Sequence, residues 1–132
     1  LDNIISAAID SIWLRATEPR QLFTPDDSVS RSFDISESSQ STITIITERG
    51  STLVLQRAAF HSTLRYLILN SHRAENPCEI RSNDAYEDAG PLCRASRDAN
   101  GRTRVINYIA PILADVGFIT INGNRPNSVW LN

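Results

Sequence analysis

The chain has 132 residues and a mass of 14.7 kDa, enough for one domain of ordinary size or a small domain with an N-terminal elaboration, and too little for two large ones. Hydrophobic residues make up 41% and charged residues 21%, close to a typical globular protein, so a packed core is expected rather than disorder. A net charge of −2 and an isoelectric point of about 5.6 exclude indiscriminate nucleic-acid binding; contact with a polyanion has to come from a local patch.

Two absences narrow the chemistry. All 13 cationic side chains are Arg, so there is no phosphate-loop lysine, no Schiff-base lysine and no lysine of a metal-dependent nuclease core. Met is also missing, even at position 1, and the sequence is read as a piece of a longer protein whose other parts hold any catalysis. No apolar run is long enough to span a bilayer, and Leu1-Asp2-Asn3 supplies no basic start for a signal peptide. Cys78 and Cys93 lack zinc-site spacing and are read as two buried thiols of a reducing cytoplasm, with a disulfide as the other possibility. Charge is uneven. Residues 1 to 56 hold four Arg against eight acids, whereas residues 57 to 132 hold nine Arg against seven, so the C-terminal part is the candidate for binding a polyanion.

In chain order, Ile4, Ile5, Ala8, Ile9, Ile12 and Trp13 recur at helical spacing and predict an amphipathic helix with all six on one face. Glu18-Pro19 ends it, and Pro25-Asp26-Asp27 marks a loop. Phe33 and Ile35 allow a short strand before the Ser-rich turn at 36 to 41. Thr and Ile alternate from Thr42 to Thr47, and Thr52 to Leu55 follows a Gly-containing break, which predicts a β-hairpin. From Arg57 to Ser71 the period becomes helical, with Phe60, Leu64, Leu67 and Ile68 toward the core.

Cys78 to Arg81 is read as short and extended, and Asp84-Ala85-Tyr86-Glu87 as a capping box opening a second helix at about Ala85, with Gly90-Pro91 standing against its continuation. Ser96 to Gly101 is read as a polar loop. Val105, Ile106, Ile109, Ile112, Leu113 and Val116 then line one face of a third helix, placed at about 102 to 116, kinked at Pro111 and stopped at Gly117. Phe118 to Ile121 and Ser128 to Leu131 close the chain as a hairpin around a turn at 122 to 127. The fold class is therefore α+β, with residues 1 to 56 as a helix-plus-hairpin extension packed on residues 57 to 132.

The order helix, short strand, helix, helix, strand, turn, strand over about residues 57 to 131 resembles the winged-helix family, a helix-turn-helix variant. The resemblance rests on element order and on the pattern from Val105 to Leu131. It implies a double-stranded DNA-binding module: the third helix reads the major groove with Arg102, Thr103, Arg104, Asn107 and Tyr108, and Pro111 belongs to the same outward face. Arg94, Arg97 and Arg125 would lie by phosphates or in the minor groove. Such a module serves a transcription regulator, or the target-recognition domain of a larger DNA-acting enzyme such as a restriction enzyme, in the nucleoid-bearing cytoplasm or the nucleus. The alternative is a winged helix that docks protein or dimerises without binding DNA. The N-terminal helix is open to three roles: packing on the main domain, homodimerisation, or leading to further domains of a parent chain.

Other constellations have bland explanations. His61 and His72 are spaced too widely for a metal pair and are read as surface or half-buried structural residues. Asp26-Asp27 and Glu87-Asp88 fit capping better than acid–base chemistry, and no Gly-x-Ser-x-Gly elbow occurs. No cofactor or metal is expected. The chain alone should hydrolyse nothing: incubation with duplex DNA and a divalent metal should leave the duplex intact on a denaturing gel, and cleavage by the pure chain would overturn this reading.

Overall fold

The computed structural model describes residues 1–132 and is α+β, with four helices, a four-stranded antiparallel sheet and a three-stranded antiparallel sheet. Helix α1 spans Asp2–Ala16 and buries Ile5, Ile9, Ile12, Trp13 and Ala16. Ile4, assigned to the same face, is 69% exposed. At about 100° per residue the six expected positions cover half the helix circumference, and the neighbouring elements cover only the part centred on Ile5, Ile9 and Ile12. No helix is long and apolar enough to cross a membrane.

The four-stranded sheet is a meander of β1 (Arg20–Phe23), β2 (Ser32–Ser38), β3 (Thr42–Thr47) and β4 (Thr52–Gln56). The expected hairpin is the β3–β4 pair, in register Ile43 with Leu55 and Ile45 with Leu53. Alternation sends Ile43 and Ile45 inward beside Phe33 and Ile35 of β2 and leaves Thr42 and Thr44 half-exposed on the other face. Strand β1 went unpredicted because it is an edge strand with no buried residue: Leu22 is half-buried and Phe23 is 56% exposed.

Helix α2 (Arg57–Leu69) leaves β4 without a linker and buries Ala59, Phe60, Thr63, Leu64 and Leu67. Ile68, expected in the core, is 39% exposed. The short strand β5 is Cys78–Glu79. The second helix of the C-terminal part departs from expectation. Tyr86–Asp88 forms only a single 3-10 turn, and α3 runs over Pro91–Asp98. Asp84 caps nothing; the Ala85 amide donates instead to Asn83 Oδ1 at 2.9 Å. Pro91 occupies the first turn, where a missing amide hydrogen is harmless, and so starts the helix that it was expected to obstruct. The helix then takes in Ser96, Arg97 and Asp98, which had been read as loop.

Helix α4 is Ile106–Asp115, shorter at its start than expected, so Arg102, Thr103 and Arg104 precede it. The six apolar positions from Val105 to Val116 are all buried, and the helix stops before Gly117, which has φ +87°. Strands β6 (Ile119–Asn122) and β7 (Ser128–Leu131) form the predicted closing hairpin, and β5 joins on the far side of β7 to give the order β5-β7-β6.

Residues 1 to 56 share the core of the rest. A single cluster of 28 buried apolar residues runs from Ile5 to Val129. Trp13 meets Phe60 edge-on with ring centroids 5.5 Å apart, its indole donates to Ser39 O at 2.9 Å, and the Arg57 guanidinium lies 5.0 Å from its ring. Asn100, just beyond α3 and only 6% exposed, accepts from the Gln56 amide at 2.6 Å and donates to Val54 O at 3.0 Å, fastening the helices to the edge of β4. Removing this side chain strands both backbone groups. Asn100→Ala should lower stability by about 1–3 kcal/mol in urea unfolding, whereas an effect under about 0.5 kcal/mol would mean that water replaces the bridge.

Candidate nucleic-acid interface

The expected reading helix is the most enclosed element of the molecule. Ile106, Ile109, Ala110, Pro111, Ile112 and Leu113 are all buried, so Pro111 is not on an outward face. Tyr108 is half-buried and packs edge-on against Phe33 of β2, with centroids 5.1 Å apart. At the far end Asp115 accepts from Arg20 Nε of β1 at 2.7 Å. The N-terminal sheet therefore covers the flank of α4 that the apolar stripe left over, and the helix presents little more than its first turn.

Around that first turn lies a cleft of about 590 Å³, bounded by the loop between β1 and β2, the segment after β5, the start of α4 and the turn between β6 and β7. Of the residues expected to bind DNA it gathers Arg104, Asn107, Tyr108 and Arg125. It adds Arg31 and Arg81, which sequence reasoning did not single out. The four arginines face two carboxylates in the lining, Asp26 and Glu79. Only the reversal of charge between the two halves of the chain hinted at Arg81, and nothing local hinted at Arg31, because a residue of the acidic half is delivered here by the β1–β2 connection.

Arg104 pairs with Asp84 at 3.0 Å and Arg125 with Asp26 at 2.8 Å, while Arg81 takes part in no ion pair. The backbone of Arg81 sits at φ +46° and its carbonyl accepts from the Gly90 amide at 2.9 Å. A Cβ on Gly90 would stand 2.6 Å from that of Arg81, so the approach that orients Arg81 requires glycine there. Asn107 donates to Ser82 Oγ at 3.0 Å.

Four expected contacts sit elsewhere. Arg97 is 3% exposed and donates to the carbonyls of Asp84 and Asn83; its guanidinium holds the 83–88 loop and cannot reach a phosphate. Arg94 is half-buried and donates to the carbonyls of Tyr86 and Glu87 at 2.9 and 2.7 Å. Arg102 is exposed, with its guanidinium 5.5 Å from the Tyr86 ring, which Arg94 and Arg97 also approach. Thr103 is exposed beside it. Of this group only Arg102 and Thr103 remain on the surface. Both cysteines are buried and free, and burial pushes the Cys78 thiol up to about 11, which removes it as a nucleophile at neutral pH.

The cleft has a closed side. The Asp27 amide donates to Gly123 O at 3.0 Å, and a Cβ on Gly123 would overlap the Asp27 carboxyl group. Together with the Asp26–Arg125 pair this straps the β1–β2 loop to the β6–β7 turn. Hydrogen bonding from the Ser28 hydroxyl, then from its amide and from Arg125, holds the Asp26 carboxyl below the ordinary value of 3.8 despite some desolvation. A depressed carboxyl stabilises the fold above its unfolded value, and that contribution is lost as pH falls through the folded one. In a carbon-detected carboxyl titration Asp26 should therefore have its midpoint below 3.8, and a midpoint at or above that value would mean that its bonds from Ser28 and Arg125 are not kept in solution.

Comparison with protein-family profiles, with curated proteins and with solved structures returns no match to this chain.

Proposed function

We propose that the chain is a duplex-DNA-binding module of winged-helix type, acting as a regulator or as the target-recognition part of a larger DNA-acting protein, with no catalysis of its own. The carrying observation is the convergence of Arg31, Arg81, Arg104 and Arg125 on one cleft at the start of α4, with exposed Arg102 and Thr103 nearby. The order of elements from α2 to β7 supports the same reading, since the sheet order β5-β7-β6 is the arrangement a winged helix needs. Mode of contact follows from burial. An enclosed α4 cannot lie along a major groove, so the duplex rests on the arginine rim and meets the helix end-on. Phosphate pairing then dominates, and contact with the bases of the stacked duplex falls to Arg102, Thr103 and Arg104.

A docking surface for protein is the second reading, favoured by the outer face of α1, where Ile4 is 69% and Leu14 80% exposed. Fluorescence anisotropy against random-sequence duplexes separates the two. Four or five phosphate contacts give a log–log salt slope of about −4. Arg81→Asn, which suits the left-handed backbone, should weaken all duplexes alike and flatten the slope by about one unit. Arg104→Ala should cost about 1–3 kcal/mol on a selected site. Absence of duplex binding at moderate salt would sink the DNA reading and leave the α1 face as the site to pursue.

A further inference from the structure

We infer that the cleft accepts one nucleotide, phosphate and base together, either everted from a DNA strand or free as a monophosphate; the first source rests on the DNA-binding reading, the second does not. A volume of about 590 Å³ lies inside the roughly 300–1,000 Å³ usual for small-molecule sites and is far more than a lone phosphate fills. The strap from Asp26 and Asp27 to Gly123 and Arg125 closes one side, so a length of duplex cannot pass between α4 and the β6–β7 turn. A single nucleotide can enter.

The lining offers what each part of a nucleotide needs. For the phosphate there are Arg81, which has no ion pair, Arg104, held by one carboxylate that a phosphate can displace, and Arg125, which keeps Asp26 on its Nε and has its terminal nitrogens free. For the base there are unused hydrogen-bonding groups. Asn107 spends its amide nitrogen on Ser82 and keeps Oδ1 free; Asn127 spends its own on Gly123 O at 2.8 Å and Asn124 O at 3.3 Å and keeps Oδ1 free. Ser82 retains its hydroxyl hydrogen and the Tyr108 hydroxyl makes no bond within the protein, so two acceptors and two donors line the same cleft. Ser82, Asn107, Tyr108 and Asn127 are half-buried, whereas Arg31, Arg81 and Arg125 are exposed. The half-buried four contact a base only once it has left the helical stack, as in enzymes and readers that turn a nucleotide out of the duplex.

The test uses the full chain in two measurements. Calorimetric titration with the four deoxynucleoside 5′-monophosphates is compared with inorganic phosphate and with the unphosphorylated nucleosides. In parallel, a duplex carrying a central 2-aminopurine reports unstacking by fluorescence while an end label reports association by anisotropy. At least one monophosphate should bind tenfold or more tightly than phosphate, or the bound duplex should show a several-fold rise in 2-aminopurine emission. Tyr108→Phe, which keeps the ring against Phe33, should reduce that signal several-fold at unchanged circular dichroism. Arg81→Asn should reduce monophosphate binding about tenfold. Duplex association without unstacking and without nucleotide preference would overturn this inference and leave the DNA reading intact. Monophosphate binding without duplex association would uphold the cleft and overturn the DNA reading. Indifference of the positive signal to both substitutions would place the nucleotide elsewhere and overturn the inference.

Discussion

Everything in this molecule is arranged around the enclosure of α4. Its apolar stripe meets the helical cluster, and the N-terminal sheet closes over the opposite flank through Phe33 and Arg20. Each fully buried Ile or Leu contributes roughly 1.5–3 kcal/mol, and α4 supplies four: Ile106, Ile109, Ile112 and Leu113. A helix that carries so much of the core cannot also be lent to a ligand along its length. What α4 leaves accessible is its start, where the chain enters through exposed Arg102 and Thr103 and half-buried Arg104.

The same enclosure explains why the acidic half of the chain ends up beside the basic one. Asp26 of the acidic half stands against Arg125, and Asp84 of the basic half against Arg104, so these two cleft arginines are held in place before any ligand arrives. Exposed pairs of this kind contribute little to stability, and exchanging a carboxylate for a phosphate is correspondingly easy. Pre-paired arginines also lower the long-range attraction for an arbitrary polyanion, in keeping with a net charge of −2.

How much of this was legible in the sequence depended on whether the signal was local. The β3–β4 and β6–β7 hairpins and the buried stripe of α4 were readable because period and turn residues coincide within a few positions. The start of α3 was misread because Asp84 and Glu87 have the spacing of a capping box, while the preference of proline for a first turn, at Pro91, was weighed as an interruption. Strand β1 carried no alternation to detect, being an edge strand stabilised by its pairing with β2. Of the residues that line the cleft, Arg104, Asn107, Tyr108 and Arg125 had been singled out from their positions in the C-terminal elements. Arg31 and the strap depend on the sheet folding across sequence separations of about a hundred residues, as in the Asp26–Arg125 pair. Arg97 shows the reverse error, since a charged residue in an assumed loop was taken as exposed when it lies on α3 facing inward.

The strap changes what the β6–β7 turn can do. In a free hairpin the turn between strands is anchored only at its base and adapts to whatever it meets. Here Gly123 and Arg125 are held by Asp27 and Asp26, and Asn127 O accepts from the Ile80 amide at 3.0 Å, so the turn is fixed at its near side and at its base. A fixed turn cannot follow a groove, but it gives the cleft a rigid wall and keeps Arg125 at a set position relative to Arg104. Rigidity at that point trades adaptable contact with a duplex surface for a preorganised opening. Preorganisation lowers the ordering cost of binding a small unit far more than that of binding an extended one, because the whole contact lies within the fixed walls.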